Sequence, residues 1–461
     1  MTQTKRGLLV RRFAVLVLGL LVAGLLAACG DNTATPAPAA TTAASTTAAA
    51  SATTAAASTT AAAATTAAAS ATTAAAAATT AAAAGASTGG NTTGVTDSEV
   101  VIGSWGPQSG PAAAYGAIDR TIDAYFKMVN EQGGVNGRKI KFIYQDDAYQ
   151  ASQTQSVVKK MVEQDKVFAF VGGLGTANNL AVMDYLVQTG VPHVAPSTGS
   201  SLISQPLKKN IFALQTNYIV EATLLTRYVI DNLKTQKIGV FYQDDAFGKE
   251  GLEAIKAAAK AKGKDVVAEV SYQATDKDYS SSALKLQNSG ADTVIFWSVP
   301  GPTGLILQEI DRIGYKPTLA LSAVANDPTL FKLSANTISN AWITAWLPDV
   351  TDPTNNDPKV VAYRDFMKKY APNETIGGFS VTGYTYGQLM TEALKRAGKD
   401  LTREKLIAAM ETFNNWNDSM GYNVTYTATN HQGQNAVYFQ QADAKQGRFV
   451  KKSDFVEYKP S

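Results

Sequence analysis

The chain has little with which to build covalent or metal-centred chemistry. Its 461 residues include one cysteine and two histidines. A single thiol excludes an internal disulfide or a thiolate cluster, and two imidazoles leave scant material for a transition-metal site. Excess charge is missing too. There are 41 basic and 38 acidic residues, and Lys5, Arg6, Arg11 and Arg12 all lie at the start. From Cys29 onward the balance is 37 against 38, so no electrostatic footprint for nucleic acid exists. Between Asn32 and Thr96 there is no ionisable side chain at all, and most positions are Ala, Thr or Ser. Such a stretch has no large side chains to bury and reads as a disordered spacer. As a coil it would span about 45 Å root-mean-square, a tether between whatever lies on either side.

What precedes the spacer is an export signal. The four basic residues form a positive start, and Phe13 to Ala28 is an uncharged run of 16 residues. At 1.5 Å per residue it would reach about 24 Å, short of a ~30 Å hydrocarbon core. The run ends in small residues, as a processed signal does. Leu26-Ala27-Ala28-Cys29 resembles the lipobox of bacterial lipoproteins, and the chain's only cysteine stands there. The expectation is a signal peptide over 1–28 and a lipid-anchored, Ala/Thr-rich linker over 29–97. Lipidation at Cys29 would hold the protein outside the cytoplasm on the bacterial cell membrane, because two or more acyl chains anchor stably where one does not.

Past Asp97 the pattern alternates. Ser98–Gly103, Lys139–Tyr144, Val167–Val171 and Val191–Ala195 read as strands. Helices over 112–130, 152–164 and 176–188 separate them, which predicts a parallel sheet with covering helices. The alternation restarts with a helix at 218–233 and strands at 237–242, 266–272, 293–297 and 318–321. The remaining elements include helices at 357–369, 382–397 and 403–412. Strands are predicted at 342–346, 421–426, 437–440 and 449–458. These are too few for a third domain and complete the first two, so the chain crosses between two lobes more than once and leaves a hinged cleft.

In open parallel sheets, ligands bind beyond the C-terminal strand ends. The loops there are Gly106–Gly110 with Gln108, Gly172–Thr176, Ala195–Ser200, Asp244–Gly248, Trp297–Gly301 and Leu321–Asn326. Glycines admit close approach of a ligand, while free N–H groups and the hydroxyls of Thr176, Ser197 and Ser200 can hold a carboxylate. Helix capping is the competing role for Thr176, and the simpler one for Ser200. Phe247 and Trp297 supply aromatic surface on the second lobe, and Tyr115 a wall or a hydroxyl on the first; core packing is the alternative for each.

Enzymatic signatures are thin. Gly173-Leu174-Gly175 leads to Asn178 where a dinucleotide loop needs a third glycine, and neither a P-loop nor a nucleophile elbow is present. His193 sits within an apolar strand as a core residue, and His431 in an exposed turn. Asp146-Asp147 and Asp244-Asp245 read as solvated turns or caps, since adjacent carboxylates diverge and no further ligands mark a metal shell. No enzyme activity, cofactor or metal is expected.

Several phrases together carry a resemblance: Ser109-Gly110-Pro111, Asp146-Asp147, Val171-Gly172-Gly173, Pro192–Ser197, Asp245–Gly248 and Gly383-Tyr384. From Ser98 to about Tyr458 the chain resembles the periplasmic-binding-protein type I family, in particular the branched-chain amino acid receptors that feed ABC importers. The resemblance implies two Rossmann-like α/β lobes joined by three crossovers, with 98–217 and 351–425 in one and 218–350 and 426–458 in the other. It implies a monomer that closes over a small-molecule ligand and docks on ABC permease subunits. The family's carboxylate-binding positions fall on Gly175, Thr176, Ser197 and Thr198, though Gly199 stands where amino-acid binders have a second threonine. The lobe-two aromatic falls on Phe247. The glutamate that meets the ligand ammonium falls on Ser322, two residues before Val324-Ala325-Asn326, where Asn326 or Asp327 could turn inward. A branched-chain or related amino acid is the implied ligand. Amides, aromatic acids and other organic acids are alternatives, as is a role as ligand sensor for a membrane signalling partner.

Overall fold

The computed structural model describes residues 90–335 and 337–458. The expected signal peptide, Cys29 and the linker up to residue 89 lie outside the described residues. The last positions of the expected linker are packed: Val101 N donates to Gly94 O, and Arg403 N to Asn91 O, both at 2.9 Å.

The first half of the fold runs β1 (Glu99–Trp105), α1 (Ala117–Glu131), β2 (Lys139–Gln145), α2 (Ala151–Glu163), β3 (Ala169–Val171), α3 (Thr176–Thr189), β4 (His193–Val194), a single turn α4 (Ser201–Ser204) and β5 (Ile211–Phe212). Its five strands are all parallel, in the order β2-β1-β3-β4-β5. β3 is buried on both faces, which is why its sequence is a continuous apolar run rather than an alternation. The chain then continues through α5 (Tyr218–Leu233), β6 (Lys237–Gln243), α6 (Ala246–Ala261), β7 (Asp265–Tyr272), α7 (Ser280–Asn288), β8 (Thr293–Trp297), α8 (Pro300–Arg312), β9 (Thr318–Leu321), α9 (Thr329–Leu333) and β10 (Trp342–Ala345). β7, β6, β8, β9 and β10 form a second parallel array.

Next come α10 (Pro358–Tyr370), α11 (Gly378–Ala397) and α12 (Arg403–Met410), followed by β11 (Ala436–Asp443), β12 (Arg448–Lys451) and β13 (Val456–Glu457). α11 packs along α1, and α12 against α11, so these helices return to the first lobe. Buried Arg403 fixes that return: its Nε and Nη2 donate to Phe168 O and Val167 O, both at 2.9 Å. β11 joins β10 antiparallel and closes the second sheet with β12 and β13. The chain passes between the lobes after β5, after β10 and before β11. The expected two-lobed α/β fold with three crossovers is what forms.

Three expectations need correction. Residues 421–426 are a loop with one bridge, Trp416 to Val424, although the apolar alternation of Val424 and Tyr426 suits a strand. Asn423 adopts a left-handed φ of 49°. Side chains take up the backbone instead, Gln434 Oε1 accepting from Tyr422 N and Asn417 Oδ1 from Asn423 N. The stretch expected as one strand at 449–458 is two, broken where Ser453 Oγ accepts from Phe439 N. His431 is not exposed but 1% accessible, because an isolated parallel bridge pairs the neighbouring Gln432 with Ala213. Its ring stacks on Phe212 at 3.9 Å, and Nδ1 lies 2.9 Å from Lys208 O and 3.0 Å from Ile211 O, so Nδ1 carries the hydrogen.

Two buried groups of the first lobe titrate in opposite senses. Asp119 accepts from Ser104 Oγ at 2.6 Å, yet burial, outweighing that hydrogen bond, pushes its carboxyl from 3.8 to about 7. His193, a core residue as expected, holds Nε2 at 2.7 Å from Gly172 O, and burial lowers it from 6.5 to about 4. Native Asp119 keeps a proton that the unfolded chain releases, so its contribution to stability falls as pH rises through about 4 to 7. Native His193 refuses a proton that the unfolded chain accepts, so its contribution is lost as pH falls from about 6.5 to 4. Asp119→Asn removes only the first effect. Across that shared interval its Tm should climb more steeply with pH than the wild type's in thermal denaturation; parallel profiles would contradict the assignment.

Candidate functional site

The C-terminal strand ends of the two sheets face a partly open cavity of about 90 Å³. On the first lobe the wall is built from the start of α3. Gly175 holds a φ of 101°, and a Cβ there would lie 2.5 Å from Asn178 Oδ1, so only glycine makes this turn. No side chain caps the helix. Its first N–H groups and the positive end of its dipole are thus left towards the cavity, beside Thr176. The Thr176 hydroxyl bonds Thr198 Oγ1 at 2.7 Å rather than capping its own helix. Ser197 lies alongside, 3.3 Å from Tyr386 OH. Tyr115 and Tyr149 complete this side.

On the second lobe, Phe247 enters from the first turn of α6, whose N-cap is Asp245, accepting from Gly248 N at 3.0 Å. Tyr218 and Val299 flank it, and Ala323, Val324 and Asn326 follow β9. Asn326 Nδ2 donates to Thr344 O at 2.8 Å and Gln440 Oε1 at 2.7 Å. Near the crossovers the lining passes to Trp346, Leu347, Asp349, Phe379 and Tyr438. The walls also touch directly. Tyr115 OH donates to Val324 O at 2.6 Å, Gln243 Nε2 to Tyr149 OH at 3.3 Å, and Ser201 N to Glu250 Oε1 at 2.8 Å.

Three carboxylates surround the lobe-two side, in different circumstances. Asp349 lines the cavity but accepts from Thr351 N at 2.9 Å and Thr351 Oγ1 at 2.7 Å, with Arg448 3.6 Å away. Asp327 accepts from Thr329 N at 2.9 Å and, across the lobes, from Phe379 N at 3.2 Å; burial raises its pKa. Glu221 is 1% exposed on α5. Its Oε1 accepts from Ala323 N and Thr344 Oγ1, both at 2.7 Å, while Oε2 has no hydrogen-bond partner. Burial pushes this carboxyl up as well, against the hydrogen bonds of Thr344 and Ala323 and the nearby Ser322 hydroxyl.

This is a cleft between the edges of two sheets, and the sequence pattern of the family described as periplasmic binding protein matches residues 99–448. The chain belongs to the periplasmic binding protein family. A Leu/Ile/Val-binding protein homolog of Brucella melitensis is 26% identical over 306 residues, covering 65% of this chain and 80% of the relative. A branched-chain amino acid ABC transporter structure from Thermus thermophilus with bound valine superposes with a TM-score of 0.72 at 21% identity, over 79% of this chain and 98% of that one. A fatty acid ABC transporter substrate-binding protein from Thermomonospora curvata gives 0.73 at 24% identity, over 80% and 95%. The fold is that of the type I, branched-chain amino acid receptor-like members.

Of the residues expected at a periplasmic-binding-protein ligand site, Tyr115, Gly175, Thr176, Ser197, Phe247 and Asn326 line the cavity. The other four do not. Gln108 is drawn sideways, donating to Asp119 Oδ2 at 3.3 Å and accepting from Arg120 Nη1 at 2.8 Å. Thr198 stands behind Thr176, 1% exposed. Trp297 is fully buried behind Phe247 and Tyr218, its ring centroid 6.0 and 5.6 Å from theirs. Ser322 turns away to accept from Val324 N at 3.2 Å. Sequence reasoning passed over Tyr149 and Tyr218, which line the cavity.

The Tyr115 hydroxyl is the shortest direct hydrogen bond between the opposing walls described above. Tyr115→Phe should bind ligand about five- to tenfold more weakly in isothermal titration, the value of one good hydrogen bond, with little change in Tm. Unchanged affinity would mean that this bond plays no part in the ligand-bound form.

Proposed function

We propose that this protein is the substrate-binding component of an ABC-type importer. It captures a small carboxylate-bearing ligand, of the branched-chain amino acid kind, between its lobes. The observation that carries this reading is the uncapped start of α3 with Thr176 and Ser197, facing apolar Phe247 across the cavity between the sheet edges. N–H groups and hydroxyls suit a carboxylate, and the aromatic and aliphatic wall suits an apolar side chain. The valine-bound relative and the Leu/Ile/Val-binding homolog support the same ligand class.

The mechanism is physical. A ligand that touches both walls only when they are together stabilises the closed arrangement and shifts the population towards it. The closed surface then docks on permease subunits. The chain acts as a monomer outside the cytoplasm, held to the membrane by lipid on Cys29, and neither transforms its ligand nor uses a cofactor. A second reading, an amine-free organic acid, draws on the uncharged Ser322, which stands where the family resemblance puts a glutamate and is turned onto Val324 N, and on the apolar lining of Trp346, Leu347 and Phe379.

A thermal-shift screen of the purified protein against amino acids, their amides and amine-free organic acids tests the proposal, because a ligand that binds only the folded state raises Tm. Branched-chain amino acids should raise it, and Thr176→Val should cost the carboxylates about tenfold in affinity while sparing neutral amides. Equal losses for both would assign Thr176 to packing, and turnover of a bound compound would overturn the non-enzymatic reading.

A further inference from the structure

We propose that Gln215 and Trp346 form a polar floor to the cavity where the chain crosses between the lobes. This floor selects amino acids whose short side chain carries a neutral hydrogen-bonding group, a hydroxyl or a carboxamide, over their aliphatic counterparts. The proposal rests on the binding function given above and narrows its ligand class. Gln215 follows β5, where the chain first leaves lobe one, and Trp346 follows β10, where it returns. Both line the cavity, and both are 7% exposed. The crossing segments are tied side by side there. Gln432 Nε2 donates to Gln215 O at 2.8 Å and to Gln434 O at 3.0 Å, and Gln434 Nε2 to Trp346 O at 3.0 Å. Those bonds use the main-chain oxygens of Gln215 and Trp346 and leave both side chains out.

Among the described residues, neither the Gln215 carboxamide nor the Trp346 indole N–H has a hydrogen-bond partner. The indole nitrogens of Trp105 and Trp297 are also unpartnered but sealed in the core, whereas that of Trp346 is not closed off. A largely buried amide or N–H left unpaired is costly, and an aliphatic ligand packed on it would keep it so. A hydroxyl or carboxamide satisfies both: it accepts from the indole N–H, and it can donate to Gln215 Oε1 or accept from Nε2. A charged side chain fits less well. No Lys, Arg or His is among the described residues lining the cavity, and the carboxylate there, Asp349, is engaged by Thr351 and faces Arg448. The floor also adjoins the carboxylate loop. The Tyr386 ring lies 6.5 Å from that of Trp346, and its hydroxyl 3.3 Å from Ser197 Oγ, so a short side chain spans from one to the other.

The test compares, by isothermal titration, threonine with valine and asparagine with leucine, pairs of near-identical shape that differ in the polar group. Wild-type protein should bind threonine and asparagine at least about tenfold more tightly than their partners. Gln215→Leu should weaken the two polar amino acids about tenfold and leave valine and leucine unchanged or tighter, with near-native circular dichroism. Trp346→Phe keeps a ring and removes only the N–H; it should weaken the polar pair members about threefold and spare the aliphatic ones. A wild-type preference for valine and leucine, equal losses for both members of a pair in Q215L, or discrimination unchanged in Q215L or in W346F would each overturn the assignment. Tight binding of valine and leucine alone would do so while leaving the binding function standing. If wild-type protein binds none of the four, that function falls with it.

Discussion

The two parallel sheets present their C-terminal edges to the same space, and most of the structure follows from that. A parallel strand ends in a loop that leads into a helix, so every such edge concentrates unpaired N–H groups, small residues and helix N-termini. Facing two edges across three chain crossings gathers these groups around one cavity. The walls hold one another through Tyr115 and Val324, and through Asp327 and the N-terminus of α11. The latter contact is close. A Cβ on Gly378 would stand 1.9 Å from Asn326 O, so the glycine is what lets the α11 backbone reach the lobe-two loop.

The polar character of the cavity differs from wall to wall. Lobe one offers donors without formal positive charge; lobe two offers an aromatic face backed by carboxylates. That division suits a ligand with a negative end and an apolar body. In a nearly neutral chain, N–H groups and buried acids of this kind act locally where solvent cannot screen them.

Much of this was legible in the sequence, and for definite reasons. Strands such as 293–297 and helices such as 218–233 carry the apolar periods that burial on two faces or one face demands. The loops that line the cavity were located by topology, because strand ends in a parallel sheet can face only one way. What escaped was three-dimensional competition for side chains. Gln108 and Ser322 occupy the expected loops, but local partners, Asp119 and Arg120 for one and Val324 N for the other, turn them aside. Residues 421–426 have a strand's alternation and lose the strand to Asn and Gln side chains that bond the backbone. His431 looked like part of a turn because its burial depends on a crossover pairing more than 200 residues away in sequence. Tyr218 sits on a helix rather than in a loop, outside the positions that strand-end reasoning inspects.

The central claim is that a small molecule between the sheet edges holds the two lobes together. Small-angle scattering of the purified protein, with and without a saturating branched-chain amino acid, addresses it directly. The account predicts a smaller radius of gyration with ligand, and scattering that then matches the arrangement in which Tyr115 bonds Val324 across the cavity. An unchanged profile at demonstrated saturation, with the lobes still apart, would contradict it.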